Sequence, residues 1–277
     1  MSEVAKAFGK ERTSPSEVNT FASERGFWLA RYVRKIKDDV GPAAWRGDAV
    51  EAGLQAALYG RDDPLTHALN AFELREQEYA KAHDGEVHPD ADAERAAIEP
   101  CLNNALLCVK AHEIGQPTAT QLKVEAYLPG CELPMHGYLD FAFADHAMDC
   151  KATNKIPSDA KPEHAAQVSF YAYGRKESKA RLLYASTAQK TKNPYNLVTL
   201  GSADIQRNIE NMARVQRNME TLMRAAISFA RDELITPQRA LTELCRPDFS
   251  AMGGGFYKIW KPEMIERARE IEEWRLA

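Results

Sequence analysis

The sequence predicts an α/β fold with additional helices at both ends. Two observations indicate this fold class. Through the first 112 residues, apolar side chains recur at the three- and four-residue spacing of helices. From Gln121 onward the period changes to the alternation of strands, and strands and helices then follow one another as far as Leu200. The 277 residues, 44% of them hydrophobic, are sufficient for a buried core.

The N-terminal part is predicted to contain four helical segments. The tetrapeptide SPSE at 14–17 is typical of a helix start. Its first serine can cap the helix, its proline suits the first helical position, and its glutamate completes a capping box. This helical region extends to about Ile36, with Gly26 as an interruption. Three further helices are predicted at about 43–59, 64–82 and 100–112. The acidic stretch 83–95 is predicted to be a loop.

The rest of the chain is predicted to contain five strands and two longer helices. The strands are expected at 121–127, 137–144, 147–153, 181–187 and 195–200. One helix, 162–174, separates the third and fourth strands, and a long helix runs from Ser202 to about Leu234. The core-facing side of this long helix is predicted to be Ile205, Ile209, Met212, Met219, Met223 and Ile227. The glycines at 253–255 are interpreted as a hinge before a short helix from Pro262.

The composition argues against several classes of protein. No apolar run approaches the ~18 residues that a membrane helix needs, and the N-terminus lacks the apolar segment of a secretory signal. The five cysteines contain no C-x-x-C pair, so neither a disulfide framework nor a common zinc or iron–sulfur site is indicated. Cys101 and Cys108 share an apolar helix face and are expected to be core residues. A reducing cytoplasm is the expected compartment.

Charge is distributed unevenly around the net value of −4. Residues 151–192 contain nine basic and three acidic side chains, whereas residues 84–99 contain six acidic side chains and one basic side chain. A basic segment within an acidic protein is typical of a localised site for a polyanion, although charge alone is more simply interpreted as an ordinary solvated surface.

The segment 136–153 is predicted to form a hairpin with a two-residue turn at Asp145-His146. This turn would pair Phe143 with Met148, Ala142 with Asp149, and Asp140 with Lys151. Side chains alternate between the faces of a strand. One face of the hairpin would therefore be apolar and buried, consisting of Phe141, Phe143, Met148 and Cys150.

The opposite face of the hairpin places two carboxylates and an ammonium group among alanines. Asp140 and Asp149 would be diagonal neighbours, with Lys151 beside both. Two aspartates held together repel unless a cation lies between them, and oxygen ligands suit Mg²⁺ or Mn²⁺. The alternative is a solvated face with an ordinary ion pair.

Other polar side chains are expected near this patch. Glu125 lies on the non-core side of the preceding strand, Gln167 and Tyr171 share one helix face, and Glu51 lies beside the apolar stripe of the second helix. Each of them alone is more simply a surface or boundary residue.

The order of these elements resembles the PD-(D/E)XK nuclease superfamily, in particular its RecB-like and lambda-exonuclease-like branch. The matching segments are SPSEVNTF at 14–21, RGDAVE at 46–51, VE at 124–125, GYLD at 137–140, DCK at 149–151 and QVSFY at 167–171. The chain departs from the family at Leu139, where the family name has proline, and at Glu51, where many RecB-like members have histidine. It also lacks the cysteines of the iron–sulfur branch.

The resemblance implies a central mixed sheet flanked by helices in a single nuclease domain, with a core at about 14–187 and a helical extension at about 202–277. It implies that Glu51, Asp140 and Asp149 bind Mg²⁺ or Mn²⁺, that Lys151 assists the attacking water, and that Gln167 lies near the substrate phosphate. Glu125 is included among the catalytic residues. The residues expected to contact DNA are Tyr171, Arg175, Lys176, Lys179, Lys190 and Lys192.

The expected activity is metal-dependent hydrolysis of DNA phosphodiester bonds by a phage-type recombination or replication exonuclease acting on double-stranded ends. An endonuclease or flap nuclease of the same superfamily, or a catalytically silent DNA-binding module, is the alternative. A single-strand annealing protein is compatible as a partner, oligomerisation is left open, and no membrane association is expected. The compartment would be the bacterial cytoplasm if the protein is phage-encoded.

Overall fold

The protein folds as a five-stranded sheet with helices around it, in a computed structural model that describes residues 2–36, 39–188, 192–246 and 267. The helices are α1 (Glu3–Phe8), α2 (Pro15–Ser23), α3 (Arg25–Trp28), α4 (Pro42–Leu58), α5 (Pro64–Ala82), α6 (Ala91–Ala96), α7 (Ile98–Ala111), α8 (Pro162–Gly174), α9 (Ser202–Asp232) and α10 (Pro237–Leu244), with a π-helical turn at Leu29–Val33. The strands are β1 (Ala119–Ala126), β2 (Met135–Ala142), β3 (Ala147–Thr153), β4 (Lys179–Ser186) and β5 (Tyr195–Gly201). The predicted α/β fold class is confirmed.

The sheet is mixed, with the strands in chain order from β1 to β5. β2 and β3 are antiparallel, β3 and β4 are parallel, and β4 and β5 are antiparallel. The parallel pair requires a crossover connection, and α8 supplies it. Within the described residues, no helix is long and apolar enough to cross a membrane.

The residues divide into two compact units. The first, here called the sheet unit, comprises Val40–Val124 and Tyr138–Gln206. The second, here called the terminal unit, comprises Met1–Asp39, Glu125–Gly137 and Arg207–Ala277.

The sheet unit buries the apolar face of the hairpin against α4, α5 and α7. Its largest core side chains include Trp45, Leu54, Phe72, Leu102, Phe141, Met148 and Leu183. Cys101 and Cys108 belong to this core, as predicted, and Cys150 packs against it. Gly53 allows a close approach within this core, because a Cβ there would lie 2.8 Å from both Leu102 Cδ2 and the Pro64 carbonyl oxygen.

The terminal unit has its own core, built around Phe21, Trp28 and the apolar side of α9. All six α9 side chains that were predicted to face the core are buried. Ser14 caps α2 as predicted, accepting a hydrogen bond from the Glu17 amide. The Glu17 carboxylate was predicted to complete a capping box, but it binds other groups instead. It accepts hydrogen bonds from Lys10 Nζ at 2.7 Å and Trp28 Nε1 at 2.9 Å.

Three helices differ from the sequence prediction. α1 and α10 were not predicted, and α6 lies within the stretch that was predicted to be a loop. All three are short, at 6, 8 and 6 residues, so their periodic pattern is weak. The predicted hinge at 253–255 and the helix from Pro262 lie outside the described residues.

The hairpin register differs from the predicted one by two residues. Phe141 is opposite Met148 and Ala142 is opposite Ala147. The predicted pairs of Phe143 with Met148, Ala142 with Asp149, and Asp140 with Lys151 are therefore wrong, and the register places Asp140 opposite Asp149 rather than diagonal to it. Residues 143–146 form a four-residue loop, closed by a hydrogen bond of 2.9 Å from the Phe143 amide to the His146 carbonyl. The favoured two-residue turns need a residue at positive φ, and neither Asp145 nor His146 adopts one. A shift of two residues keeps every side chain on its predicted face.

Candidate active site

Four elements of the sheet unit bring together six of the predicted site residues. β2 supplies Asp140, β3 supplies Asp149 and Lys151, α8 supplies Gln167 and Tyr171, and α4 supplies Glu51. Asp149 and Lys151 share one face of β3 because they are two residues apart, and Gln167 and Tyr171 share one face of α8 because they are four apart. α8 follows β3 in the chain and packs against it, so these two faces meet.

Asp149 lies at the centre of the site and is fully buried, with 0% of its surface exposed. Lys151 Nζ lies 2.8 Å from Asp149 Oδ2, which forms an ion pair. Neither Asp149 oxygen accepts a hydrogen bond of good geometry from any residue that the structure describes. A buried carboxylate ordinarily has its lone pairs satisfied by donors or by a cation. Asp149 therefore has unused capacity to bind a cation.

Asp140 lies across from Asp149 and contacts the backbone of β3. Its Oδ2 accepts a hydrogen bond of 2.9 Å from the Cys150 amide. Burial raises the pKa of Asp140 well above its usual range, and the neighbouring charges of Asp149 and Glu51 raise it further. The site thus concentrates more negative charge than its single lysine neutralises.

Lys151 is positioned by a short chain of hydrogen bonds. Its Nζ donates to Gln167 Oε1 at 3.2 Å, and Gln167 Nε2 donates to the Tyr171 hydroxyl at 3.1 Å. Burial lowers the pKa of Lys151, but the carboxylates of Asp149 and Asp140 outweigh this effect and leave the pKa above its ordinary value. Burial raises the pKa of Tyr171 to about 12. Lys151 is therefore a cation and Tyr171 a neutral phenol at neutral pH.

Glu51 completes the acidic cluster from α4. Burial raises the pKa of Glu51 to about 7, and the charges of Asp149 and Asp48 act in the same direction. Its Oε1 accepts a hydrogen bond from Gln121 Nε2 of β1. Gln121 was not among the predicted site residues. The alternation of β1 could have found it, because Gln121 lies on the same side as Lys123.

His164 is a second residue near the site that the sequence prediction missed. It lies on α8 one turn before Gln167, and its Nδ1 is 3.1 Å from the Tyr184 hydroxyl. Burial lowers the pKa of His164, and the positive charge of Lys151 lowers it further. The three-residue spacing to Gln167 was the available signal.

The remaining predicted site residues are placed differently. Glu125 is exposed on β1 and belongs to the terminal unit rather than to the sheet unit. Arg175 has internal partners, because it donates to Glu177 Oε1 at 2.7 Å and to the Phe143 carbonyl at 2.8 Å. Lys179 Nζ lies 3.0 Å from Asp145 Oδ2. Lys176 and Lys192 are exposed. Lys190 lies outside the described residues.

The arrangement as it stands is a cluster of three carboxylates that share one ammonium group. In the part of the chain that the structure describes, no three His, Cys, Asp or Glu side chains are close enough together to hold a metal ion. Glu51, Asp140 and Asp149 interact through their charges, and Lys151 supplies the cation. The site can attract a further cation, and its ammonium group can donate hydrogen bonds to an anion.

The fold is similar to that of a solved structure. The crystal structure of a "Putative exonuclease" from Eubacterium rectale superposes on 93% of this chain and 92% of its own, with a TM-score of 0.53 at 13% identity. At 13% identity the similarity concerns the fold alone. The chain therefore has an α/β fold similar to that of the Eubacterium rectale protein. A second structure, SSO0001, covers 70% of this chain and 87% of its own at 13% identity. Its TM-score is 0.30. No family model matches the chain, and no curated protein matches it in sequence.

Proposed function

We propose that the protein is a metal-dependent deoxyribonuclease of the PD-(D/E)XK type, and that it acts as an exonuclease on the ends of double-stranded DNA. The observation that carries the proposal is the buried Asp149, which is grouped with Asp140, Glu51 and Lys151. Apart from the ion pair with Lys151, its oxygens accept no hydrogen bond of good geometry from the described residues. The fold it shares with the "Putative exonuclease" supports the same activity.

The chemistry of the donor set suits a hard divalent ion, which would have to draw the three carboxylates closer together than they lie in the described structure. Glu51, Asp140 and Asp149 offer only oxygen ligands, which Mg²⁺ and Mn²⁺ prefer. Both oxygens of Asp149 are buried, and apart from the ion pair of Oδ2 with Lys151 neither accepts a hydrogen bond of good geometry among the described residues. The mutual repulsion of the carboxylates favours a cation among them. Such an ion must compete with the Lys151 ammonium group for Asp149 Oδ2. When bound, the ion would supply Lewis-acid chemistry toward a phosphodiester.

Lys151 would act as a cation rather than as a base. In the metal-free protein the carboxylates of Asp149 and Asp140 keep it protonated, so its Nζ can donate hydrogen bonds. A donor held beside the reacting phosphate stabilises the negative charge that develops on the phosphate oxygens. Gln167 positions this donor, because its Oε1 accepts from Lys151 and its amide is fixed in turn by Tyr171.

A cleavage assay tests the proposal. End-labelled linear duplex and closed circular DNA are incubated with the protein in Mg²⁺, Mn²⁺ or excess chelator. We expect progressive shortening of the linear duplex with metal and no cleavage in chelator. Asp149→Asn should lower the rate by at least about 10³-fold. The control Asp62→Asn, which changes an exposed aspartate in the loop before α5, should leave the rate unchanged.

The outcomes separate the alternatives. Full activity in chelator would contradict the metal-dependent mechanism. Cleavage of the closed circle would favour the endonuclease or flap nuclease, since an exonuclease needs an end. DNA binding without cleavage in any metal would favour the silent binding module.

A further inference from the structure

A second site lies at the carboxyl end of β3, past the acidic cluster of the candidate active site. Unlike that cluster, it is rich in cationic side chains. It is a cavity of about 490 Å³ in the sheet unit, between the start of α4 and the loop that joins β3 to α8. The side chains that give it a charge are Arg46, Lys155, Lys161 and Glu94. None of these was assigned to the proposed active site.

Most of the positive charge at this cavity is uncompensated. Arg46 pairs with Glu94, which cancels one charge. Lys155 and Lys161 are exposed, and neither forms an ion pair with a residue in the described ranges. Two cationic side chains therefore face solvent at the cavity without a protein anion.

Two further features of the cavity favour an anion. Arg46 is 6% exposed, and its buried Nε has no hydrogen-bond acceptor among the described residues. α8 begins at the cavity, and its N-cap residue, Lys161, makes no side-chain capping hydrogen bond. The first amides of an uncapped 13-residue helix favour an anion. The cavity therefore offers buried and exposed donors together with positive charge.

The cavity is continuous with the catalytic strand. Asp149, Lys151 and Thr153 lie on one face of β3 because they alternate along it, and Thr153 lines the cavity. Two residues of strand span about 7 Å, so the cavity begins close beyond Lys151. Thr153 and Lys155 exchange hydrogen bonds that fold the loop at this point.

The opposite end of β3 has a different character. Arg175 and Lys179, which the sequence predicted as DNA contacts, are there engaged with Glu177, Phe143 and Asp145. The seven residues of β3 separate this end from the cavity by about 20 Å. Of the three basic residues predicted at this end, Lys176 is exposed and Arg175 and Lys179 have partners, whereas both lysines at the cavity lie outside any ion pair with the described residues.

We propose that the cavity binds a backbone phosphate of the nucleic-acid strand held in the active site, so that the strand passes the carboxyl end of β3 rather than the hairpin loop. This inference rests on the proposed nuclease function and adds the direction in which the strand runs across the site. Lys155 and Lys161 supply the charge, and Arg46 together with the α8 amides supplies fixed donors.

The test compares the salt dependence of DNA binding in three double variants. All are made in an Asp149→Asn parent, so that the DNA survives, and a labelled linear duplex is titrated at several salt concentrations. Lys155→Ala/Lys161→Ala should lower the slope of log affinity against log salt by about one to two, and should weaken binding about tenfold at low salt. Lys81→Ala/Lys110→Ala removes two exposed lysines of the same unit and should leave the slope unchanged. Lys176→Ala/Lys179→Ala tests the hairpin end.

Each result has a distinct meaning. A parent that binds DNA with an unchanged slope in Lys155→Ala/Lys161→Ala overturns the inference and leaves the nuclease proposal intact. A larger loss in Lys176→Ala/Lys179→Ala places the strand at the hairpin end and also overturns it. Equal losses in all three pairs indicate net charge rather than a site. A parent that binds no DNA, with a wild type that cuts none, rejects the nuclease function and this inference together.

Discussion

Lys151 Nζ and Asp149 Oδ2 lie 2.8 Å apart on the same face of β3, two residues apart in the chain. Asp149 is fully buried, so this ion pair forms where water does little to screen it. Each partner constrains the other, because the removal of one leaves an uncompensated charge in the interior.

Lys151→Met should lower turnover by about 10²–10³-fold, the usual effect of removing one electrostatic stabiliser. The substitution keeps the length of the side chain and removes its charge. The affinity for Mn²⁺ should not fall, because the competing ammonium group has been removed from Asp149. Single-turnover rates and calorimetric titration of Mn²⁺ measure the two effects. A normal rate would reduce Lys151 to an ion-pair partner of Asp149.

Glu51 should make stability depend on pH when no divalent ion is present. Burial raises the pKa of Glu51 from 4.5 to about 7 in the folded protein. The unfolded chain therefore loses its proton first as the pH rises, and the folded state becomes less stable between about pH 4.5 and pH 7. The loss should be at most about 3 kcal/mol and complete above pH 7.

Glu51→Gln isolates this contribution. The histidines are present in both proteins and cancel in the difference, whereas Asp140 contributes to it because the charge of Glu51 raises the pKa of Asp140. We expect the difference between the unfolding free energies of wild type and Glu51→Gln to change across this window and to be flat on either side. Urea unfolding in excess chelator at several pH values measures it. A constant difference would mean that the pKa of Glu51 is the same in the folded and unfolded states.

Arg175→Ala should act on stability. The guanidinium group joins the end of α8 to the hairpin loop through Glu177 and the Phe143 carbonyl. Its loss should cost about 1–3 kcal/mol, because the buried Glu177 Oε2 already lacks a partner and the other oxygen would lose its own. Lys176→Ala changes the neighbouring exposed residue and should cost much less. Thermal unfolding compares the two, and equal losses would contradict the structural role.

Two glycines of α4 should respond in opposite ways to alanine. Gly53→Ala should destabilise by about 1–3 kcal/mol, because the new Cβ would lie 2.8 Å from Leu102 Cδ2 and from a backbone oxygen. Gly47→Ala meets nothing within 4 Å and should stabilise the helix by about 0.5–1 kcal/mol. Chemical denaturation measures the unfolding free energies of both variants. The two values would not differ if α4 could shift freely to accommodate the new Cβ at position 53.

The sequence predicted the faces of the hairpin better than its pairing. Alternation alone assigns Phe141 and Met148 to the core and Asp149 to the opposite side, and these assignments are independent of register. The register itself depends on the turn, and the sequence at 143–146 lacks the glycine that would fix a two-residue turn. A shift by two residues therefore escaped detection.

Pairing between distant residues was the other limit of prediction. The sequence shows that Arg175 and Lys155 are both basic. It does not show that Arg175 donates hydrogen bonds to Glu177 and to the Phe143 carbonyl, whereas Lys155 is exposed at the cavity. The contact of Gln121 with Glu51 links residues that are 70 positions apart. Such contacts depend on how α4 packs against the sheet, which periodicity does not specify.

The division of the terminal unit into three stretches of chain affects how the protein folds during synthesis. Phe21 and Trp28 pack against Met219 and Met223, which are translated long after them. The sheet unit ends at Gln206, so it can fold before this partner segment emerges from the ribosome. At roughly 5–20 residues per second, the N-terminal aromatic side chains wait on the order of ten to forty seconds for their core. During that interval they are exposed to other nascent chains, and this stretch is where a chaperone would be needed first.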